Sequence, residues 1–418
     1  MEPSSGQRDR QADRGTAVLV SMTMRASRAP ATLGSASVAN RGPSDHAPHR
    51  PDCSPDRVIA AVAVAVGLLV LVAGGELVVR GSSRLALSFG ISPVVIGLTV
   101  LAFGTSSPEL AVALGASLSG SPDVAVGNVV GSNIYNILLV LGLATLVRTL
   151  IVQQQLVRFD VPLVIGVSVL LWLLSLDGTL STVEGMLLLA LLLAYTAISV
   201  RSGRREGAAV DKEYREALEP VAARSSRTRD LLLFGAGLGA LVVGAQALVG
   251  GATEIARSLG IPELVVGLTV VAIGTSLPEV VTSVVAAFRG QRDLAVGNVV
   301  GSNLFNILGV LGITAIVAPG GIPVAAQAIE FDMPVMIVVA VACLPLLFTG
   351  HLLRRWEGAL FLVYAIAYTT FVVLEATAHP MREPFAQAMV WFVIPLTLVT
   401  LVSVVVAEVR ARRARHLA

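Results

Sequence analysis

Charge is what this sequence has least of. Only 14% of its 418 residues are Asp, Glu, Lys or Arg, against about 25% in a soluble domain. A chain of this length with so few charges cannot cover a water-facing surface. Cysteine is nearly absent as well: Cys53 lies in a polar stretch and Cys343 in an apolar run. Two thiols in such different surroundings exclude a disulfide framework. The net charge of +2 comes without a basic stripe interleaved with aromatics, which argues against nucleic acid as a partner. No nucleophile–base pair and no phosphate-cradling loop stands out, so nothing points to an enzyme or to a bound cofactor.

What the chain has instead is apolar length. It is 55% hydrophobic, with a mean hydropathy of +0.79. Runs of about 20 apolar residues, enough to cross a bilayer, recur from Val58 onward. The expected spans are 58–79, 92–118, 124–147, 161–176, 183–200, 231–254, 263–288, 294–317, 333–349, 358–375 and 387–407. The chain thus reads as an all-α polytopic membrane protein. Residues 1–57, rich in Arg, Ser, Pro and Ala, read as a disordered tail, with no apolar stretch long enough for a signal-peptide core.

Basic residues set the expected orientation. With the charged loop 201–230 in the cytoplasm, twenty arginines and lysines of the body fall on that side, and only Arg257 and Arg382 fall opposite. Positive-inside bias predicts such a skew. It also brings the Arg-rich C-terminus inside after an eleventh span, in a multi-pass protein of the cytoplasmic membrane. The arginines of the tail disagree, but long segments weaken the rule.

The chain repeats itself. Ile91–Gly142 aligns without a gap on Ile261–Gly312, with 30 identities in 52 positions. Ala125–Asn133 and Ala295–Asn303 both read AVGNVVGSN. Phe159-Asp160-Val161-Pro162 answers Phe331-Asp332-Met333-Pro334, and Glu184-Gly185 with Tyr195 answers Glu357-Gly358 with Tyr368. Each half holds five spans. Five is odd, so the second half enters the membrane inverted, and the halves meet at the midplane where transporters hold their substrates. The expected divisions are 1–57 (tail), 58–200 (first five-helix unit), 201–230 (cytoplasmic loop), 231–376 (second unit) and 377–418 (extra helix and basic C-terminus).

Identity between the halves concentrates on polar residues, which are costly in lipid. Gly104-Thr105-Ser106-Ser107-Pro108-Glu109 and Gly274-Thr275-Ser276-Leu277-Pro278-Glu279 each lie mid-span. The proline removes a backbone donor and pushes away the carbonyl four residues back. Freed carbonyls at that depth need a buried cavity or an ion. Asn128, Ser132 and Asn136, with Asn298, Ser302 and Asn306, form one polar stripe per half at a spacing of four. Gly127 and Gly131, like Gly297 and Gly301, are expected to allow close helix approach. Asn133 and Asn303 fall off the stripe and read as packing. Asp160 and Asp332 read as helix caps, and Glu76 and Glu254 as interfacial.

These groups offer only oxygen, which suits Ca²⁺, Mg²⁺ or alkali ions and argues against Zn²⁺ or Cu. Glu109 and Glu279 together carry −2, which one Ca²⁺ or two Na⁺ neutralise. An ionised side chain at mid-bilayer costs at least about 2.5–3.5 kcal/mol. A doubly charged site without its cation therefore resists crossing to the other face, as tight antiport requires.

The paired G-T-S-x-P-E and G-N-V-V-G-S-N-x-x-N blocks resemble the alpha-repeats of the cation/calcium exchanger superfamily, in particular its prokaryotic sodium/calcium exchanger branch. The resemblance covers about residues 58–376. It implies ten core helices, alternating access, and Ca²⁺ and Na⁺ as transported ions with no cofactor. Glu109 and Glu279 would be the shared Ca²⁺ carboxylates, completed by Thr105 and Thr275. Ser106, Ser276, Ser132, Ser302 and the carbonyls of Ala102 and Ala272 would belong to flanking Na⁺ sites. Asn136 and Asn306 would line the centre. An amide at both central positions puts K⁺ co-transport in doubt, and the threonine-serine-proline form favours Na⁺ over H⁺ as counter-ion. The alternatives that remain are a Ca²⁺/H⁺ antiporter on the same fold and a passive cation channel.

Overall fold

A backbone in lipid has to satisfy its own polar groups, so the apolar runs become helices. The computed structural model describes residues 55–89, 91–121, 123–222, 226–348 and 352–395, with 398, 402 and 406. The tail, up to residue 54, lies outside them, as do Cys53 and most of the expected span 387–407 beyond its opening helical turns.

In chain order the helices are α1 (Pro55–Phe89), α2 (Pro93–Thr105), α3 (Ser107–Leu118), α4 (Val124–Val147), α5 (Leu156–Leu174), α6 (Thr182–Ala222) and α7 (Arg227–Ser258), then α8 (Thr269–Thr275), α9 (Leu277–Phe288), α10 (Arg292–Val317), α11 (Met333–Phe348), α12 (Arg355–Ala376) and α13 (Arg382–Ala388). Seven of the described helices are long and apolar enough to span a membrane, and nine if α2–α3 and α8–α9 each count as one broken span. Eleven were expected. The shortfall has two sources. The expected span 333–349 is carried by α11 (Met333–Phe348) and the π-type turn Ala328–Asp332 that leads into it, and runs up to residues outside the described set, as the last span also does. The expected loop at 201–230 is also helical in its first part, because α6 continues to Ala222.

The mid-span prolines act as the sequence requires. Helices α2 and α3 meet at a 42° bend and α8 and α9 at a 56° bend. Ser106 and Ser276 sit at the corners with φ −85° and ψ near zero. Wide π-type turns recur at matching points of both halves: Gly97–Leu101 with Gly267–Val271, and Asn136–Leu141 with Phe305–Leu311. Such turns are frequent at functional sites, since each re-aims the side chains after it.

Helices α4 and α10 form the centre, with 78% and 89% of their most apolar stretch buried, against 28% for α1 and 11% for α12. Leu69, Leu193, Leu232 and Ile366 stand exposed on the outer helices, which is where lipid replaces water as solvent. Matching contacts hold each half to the other. Gly185 on α6 meets the Gly312 carbonyl, where a Cβ would lie 2.9 Å from it, and Gly358 on α12 meets the Gly142 carbonyl at 2.8 Å. Glu184 caps α6 by accepting from the Ser181 amide at 2.7 Å, and Glu357 caps α12 by accepting from the Arg354 amide at 2.7 Å.

Four short strands mark the ends of the molecule. β1 (Leu150–Ile151) pairs with β4 (Leu352–Leu353), and β2 (Thr179–Leu180) with β3 (Ile322–Pro323), both antiparallel. Helix α5, about 28 Å long, separates β1 from β2. β3 is the repeat equivalent of β1, yet it lies beside β2. Equivalent points of the two halves therefore sit at opposite ends of α5.

The β1–β4 end gathers basic side chains. Glu76 pairs with both Arg80 and Arg289, Arg84 lies 3.6 Å from buried Asp230, and Arg355 donates to the Val147 carbonyl at 3.2 Å. Asp160 is not a side-chain cap, and Asp332, like it, ends a π-type turn. Each accepts instead from a tyrosine of the next helix, Tyr195 at 2.9 Å and Tyr368 at 3.1 Å. The reason is register: each carboxylate ends a π-type turn already inside the helix, where the amides ahead are in use.

Candidate cation site

The two proline corners bring both constellations to one place. Ser106 of the first half donates to Glu279 Oε1 of the second at 3.1 Å. Thr105 Oγ1 donates to Asn298 Oδ1 at 3.2 Å and lies 3.4 Å from Ser302 Oγ. Asn298 passes the chain on by donating to Ser283 at 3.0 Å. Thr105, Ser106, Glu109, Ser132, Asn136, Ser276, Glu279, Ser302 and Asn306 are all buried.

Several of the buried oxygens at this site lack partners. Neither carboxylate oxygen of Glu109 has a hydrogen-bond partner among the described residues, nor have Glu279 Oε2, Ser276 Oγ, Asn136 Oδ1 and Asn306 Oδ1. Buried polar atoms nearly always find partners, and leaving one without costs about 1–3 kcal/mol. Three of these oxygens come from each half, and oxygens without donors are the ligands a hard cation takes. No group of three or more His, Cys, Asp or Glu capable of holding a metal occurs among the described residues. The site is two carboxylates amid neutral oxygens.

The halves are not in the same arrangement. The counterparts of the Thr105–Asn298 and Ser106–Glu279 bonds would run from Thr275 to Asn128 and from Ser276 to Glu109. Thr275 Oγ1 instead donates to its own Ala272 carbonyl at 3.1 Å, and Asn128 donates to the Glu109 carbonyl at 3.4 Å. Ala102 is buried and Ala272 is only partly so.

Glycines record the same difference. Gly297 and Gly301 press against α2, where a Cβ would lie 2.9 Å from the Val94 carbonyl and 2.6 Å from Leu98 Cα. Gly127, Gly131 and Gly267 have nothing within 4 Å of that position. The close approach expected of both glycine pairs thus holds only for the second. Helix α2 is packed closely on α10, while α8 is packed less closely on α4.

Sequence reasoning missed three partners. Ser283 has a small apolar counterpart, Ala113, at its repeat position, so the identity search passed over it. Asn133 and Asn303, read as packing, hydrogen-bond across the halves. Their identity in both nine-residue blocks was the available signal.

A membrane-embedded, two-fold-repeated oxygen site between broken helices defines a transporter rather than an enzyme. The chain belongs to the sodium/calcium exchanger family: the family model for sodium/calcium exchanger protein matches residues 59–201 and 230–374. It is 40% identical to the putative antiporter CaxA of Alkalimonas amylolytica over 74% of this chain and 98% of that protein. It is 32% identical to the sodium/calcium exchanger MaX1 of Methanosarcina acetivorans over 72% and 95%. A solved structure of the sodium-calcium exchanger NCX_Mj superposes with a TM-score of 0.64 at 33% identity, covering 74% of this chain and 98% of that one.

Proposed function

We propose that the chain exchanges Ca²⁺ for Na⁺ across the cytoplasmic membrane by alternating access. The observation that carries this reading is the set of buried, partnerless oxygens that Glu109, Glu279, Asn136 and Asn306 contribute from both halves. Two carboxylates suit one Ca²⁺. Thr105 and Thr275 complete its shell. Ser106, Ser276, Ser132, Ser302 and the Ala102 and Ala272 carbonyls serve flanking Na⁺. Sodium as counter-ion draws support from the printed names of MaX1 and NCX_Mj and from the threonine-serine-proline form of both corners.

The unequal packing supports alternation. The α2–α10 contact packs the side of the site toward the basic end closely, and the α8–α4 side is packed less closely, with the carboxylates buried between them. Exchanging the two contacts would reverse access. The strand pairs support an inverted repeat of two five-helix units at 58–200 and 231–376. The basic end is cytoplasmic in this reading, with 201–230 and the C-terminus on that side.

The full chain in sealed vesicles tests it. An outward Na⁺ gradient should drive Ca²⁺ accumulation, and Glu109→Gln or Glu279→Gln should abolish it. Normal transport by both variants overturns the site. Accumulation driven by a pH gradient without Na⁺ overturns sodium as counter-ion, and saturation-free flux without a counter-ion overturns antiport.

A further inference from the structure

Four asparagines are hydrogen-bonded to one another between the halves. Asn306 Nδ2 donates to Asn133 Oδ1 at 3.2 Å, and Asn136 Nδ2 donates to Asn303 Oδ1 at 3.1 Å. Asn133 is itself oriented, because its Nδ2 donates to the Asn303 backbone carbonyl at 3.3 Å. All four side chains are buried. The remaining oxygens, Asn136 Oδ1 and Asn306 Oδ1, have no partner.

An amide has a donor end and an acceptor end, and its NH₂ and oxygen point apart. Fixing one end fixes the other. A turned amide would aim two N–H groups at a cation, which repels them. The correct turn at Asn136 and Asn306 is therefore worth as much as their presence.

We propose that Asn133 and Asn303 are positioning residues: each holds the NH₂ of a central asparagine from the opposite half, so that Asn136 Oδ1 and Asn306 Oδ1 face the transported Ca²⁺. This rests on the site reading above and deepens it, since the ligand set then includes two residues that never touch the ion. Because each bond crosses between halves, moving one half changes the turn of the other half's ligand.

The test uses a property of carboxylates. A carboxylate has oxygen at both ends and needs no turning. Equilibrium Ca²⁺ binding to the purified full chain is measured for Asn133→Leu, for Asn306→Asp and for both together. Asn133→Leu alone should weaken Ca²⁺ binding by about 10–100-fold, as losses of outer-shell partners do. With Asn306→Asp present, the same change should cost less than about threefold, the scatter expected of independent sites. Equal losses in both backgrounds mean that Asn133 only packs, and overturn the proposal. If Asn133→Leu does not fold, Asn303→Leu with Asn136→Asp repeats the comparison from the other half, and failure of both to fold likewise assigns a packing role. The site reading fails separately: if Glu109→Gln and Asn306→Ala bind Ca²⁺ normally, that reading falls and takes this one with it.

Discussion

At the scale of single residues, Glu109 stands out because burial and isolation coincide in it. Glu279 has one donor in Ser106, whereas Glu109 has none among the described residues. The folded state should therefore gain strongly from a cation that satisfies both. A ligand at about 100 times its Kd stabilises its protein by about 2.7 kcal/mol. Adding Ca²⁺ to the chelator-treated chain should raise its Tm, and Glu109→Gln should remove most of that rise. An equal rise in the variant would place Ca²⁺ elsewhere. The sequence made both glutamates legible because proline, glycine and a hydroxyl pair surround each identically. It did not make the roles of Asp160 and Asp332 legible. Their partners, Tyr195 and Tyr368, are 35 and 36 residues away, and only folding reveals them. Tyr195→Phe should lower stability by about 1–3 kcal/mol through the lost donor, measured as denaturation midpoint, with little change in Ca²⁺ binding.

At the scale of elements, two identical blocks occupy different surroundings. The nine residues AVGNVVGSN recur unchanged, yet Gly297 touches α2 and Gly127 touches nothing. In the proposed cycle, identity in sequence marks what both blocks do in turn rather than what both do at once. This makes a paired prediction. Gly127→Leu fits the present arrangement, since nothing lies within 4 Å of its Cβ. It obstructs the arrangement in which α8 closes on α4. Ca²⁺ binding should survive while exchange falls by about tenfold or more, the effect of a barrier raised by about 1.4 kcal/mol. Gly297→Leu should do the reverse and destabilise the present arrangement, because a Cβ would meet the Val94 carbonyl at 2.9 Å. Binding and flux measured on the same preparations decide it. If Gly127→Leu exchanges at the ordinary rate, the looser α8–α4 packing is not part of the cycle. The helix breaks were readable from proline position. Which glycine pair is in contact was not, since a repeat carries no record of which half is closed.

At the scale of the whole molecule, the strand pairing and the charge skew are two independent supports for the proposed inverted topology. The repeat implies that equivalent points lie at opposite ends, and the β1–β4 and β2–β3 pairs place them so. Charge counting needs no structure, yet it assigns Arg80, Arg148, Arg289 and Arg355 to one side. Their contacts with Glu76 and the Val147 carbonyl place Arg80, Arg289 and Arg355 near that end. Span number was less legible, because the expected spans 333–349 and 387–407 both run into residues outside the described set. Orientation can be read by cysteine labelling of the full chain with Cys53→Ser; Cys343 is buried. Asp177→Cys and Pro319→Cys flank β2 and β3 at exposed positions. They should react with a membrane-impermeant maleimide in right-side-out vesicles. Gln154→Cys and Arg355→Cys, near β1 and β4 and also exposed, should react only in inverted ones. The reverse result would turn the molecule over and leave the inversion standing. Labelling of Asp177→Cys and Pro319→Cys from opposite sides would break it, because two residues flanking paired strands cannot face different solutions.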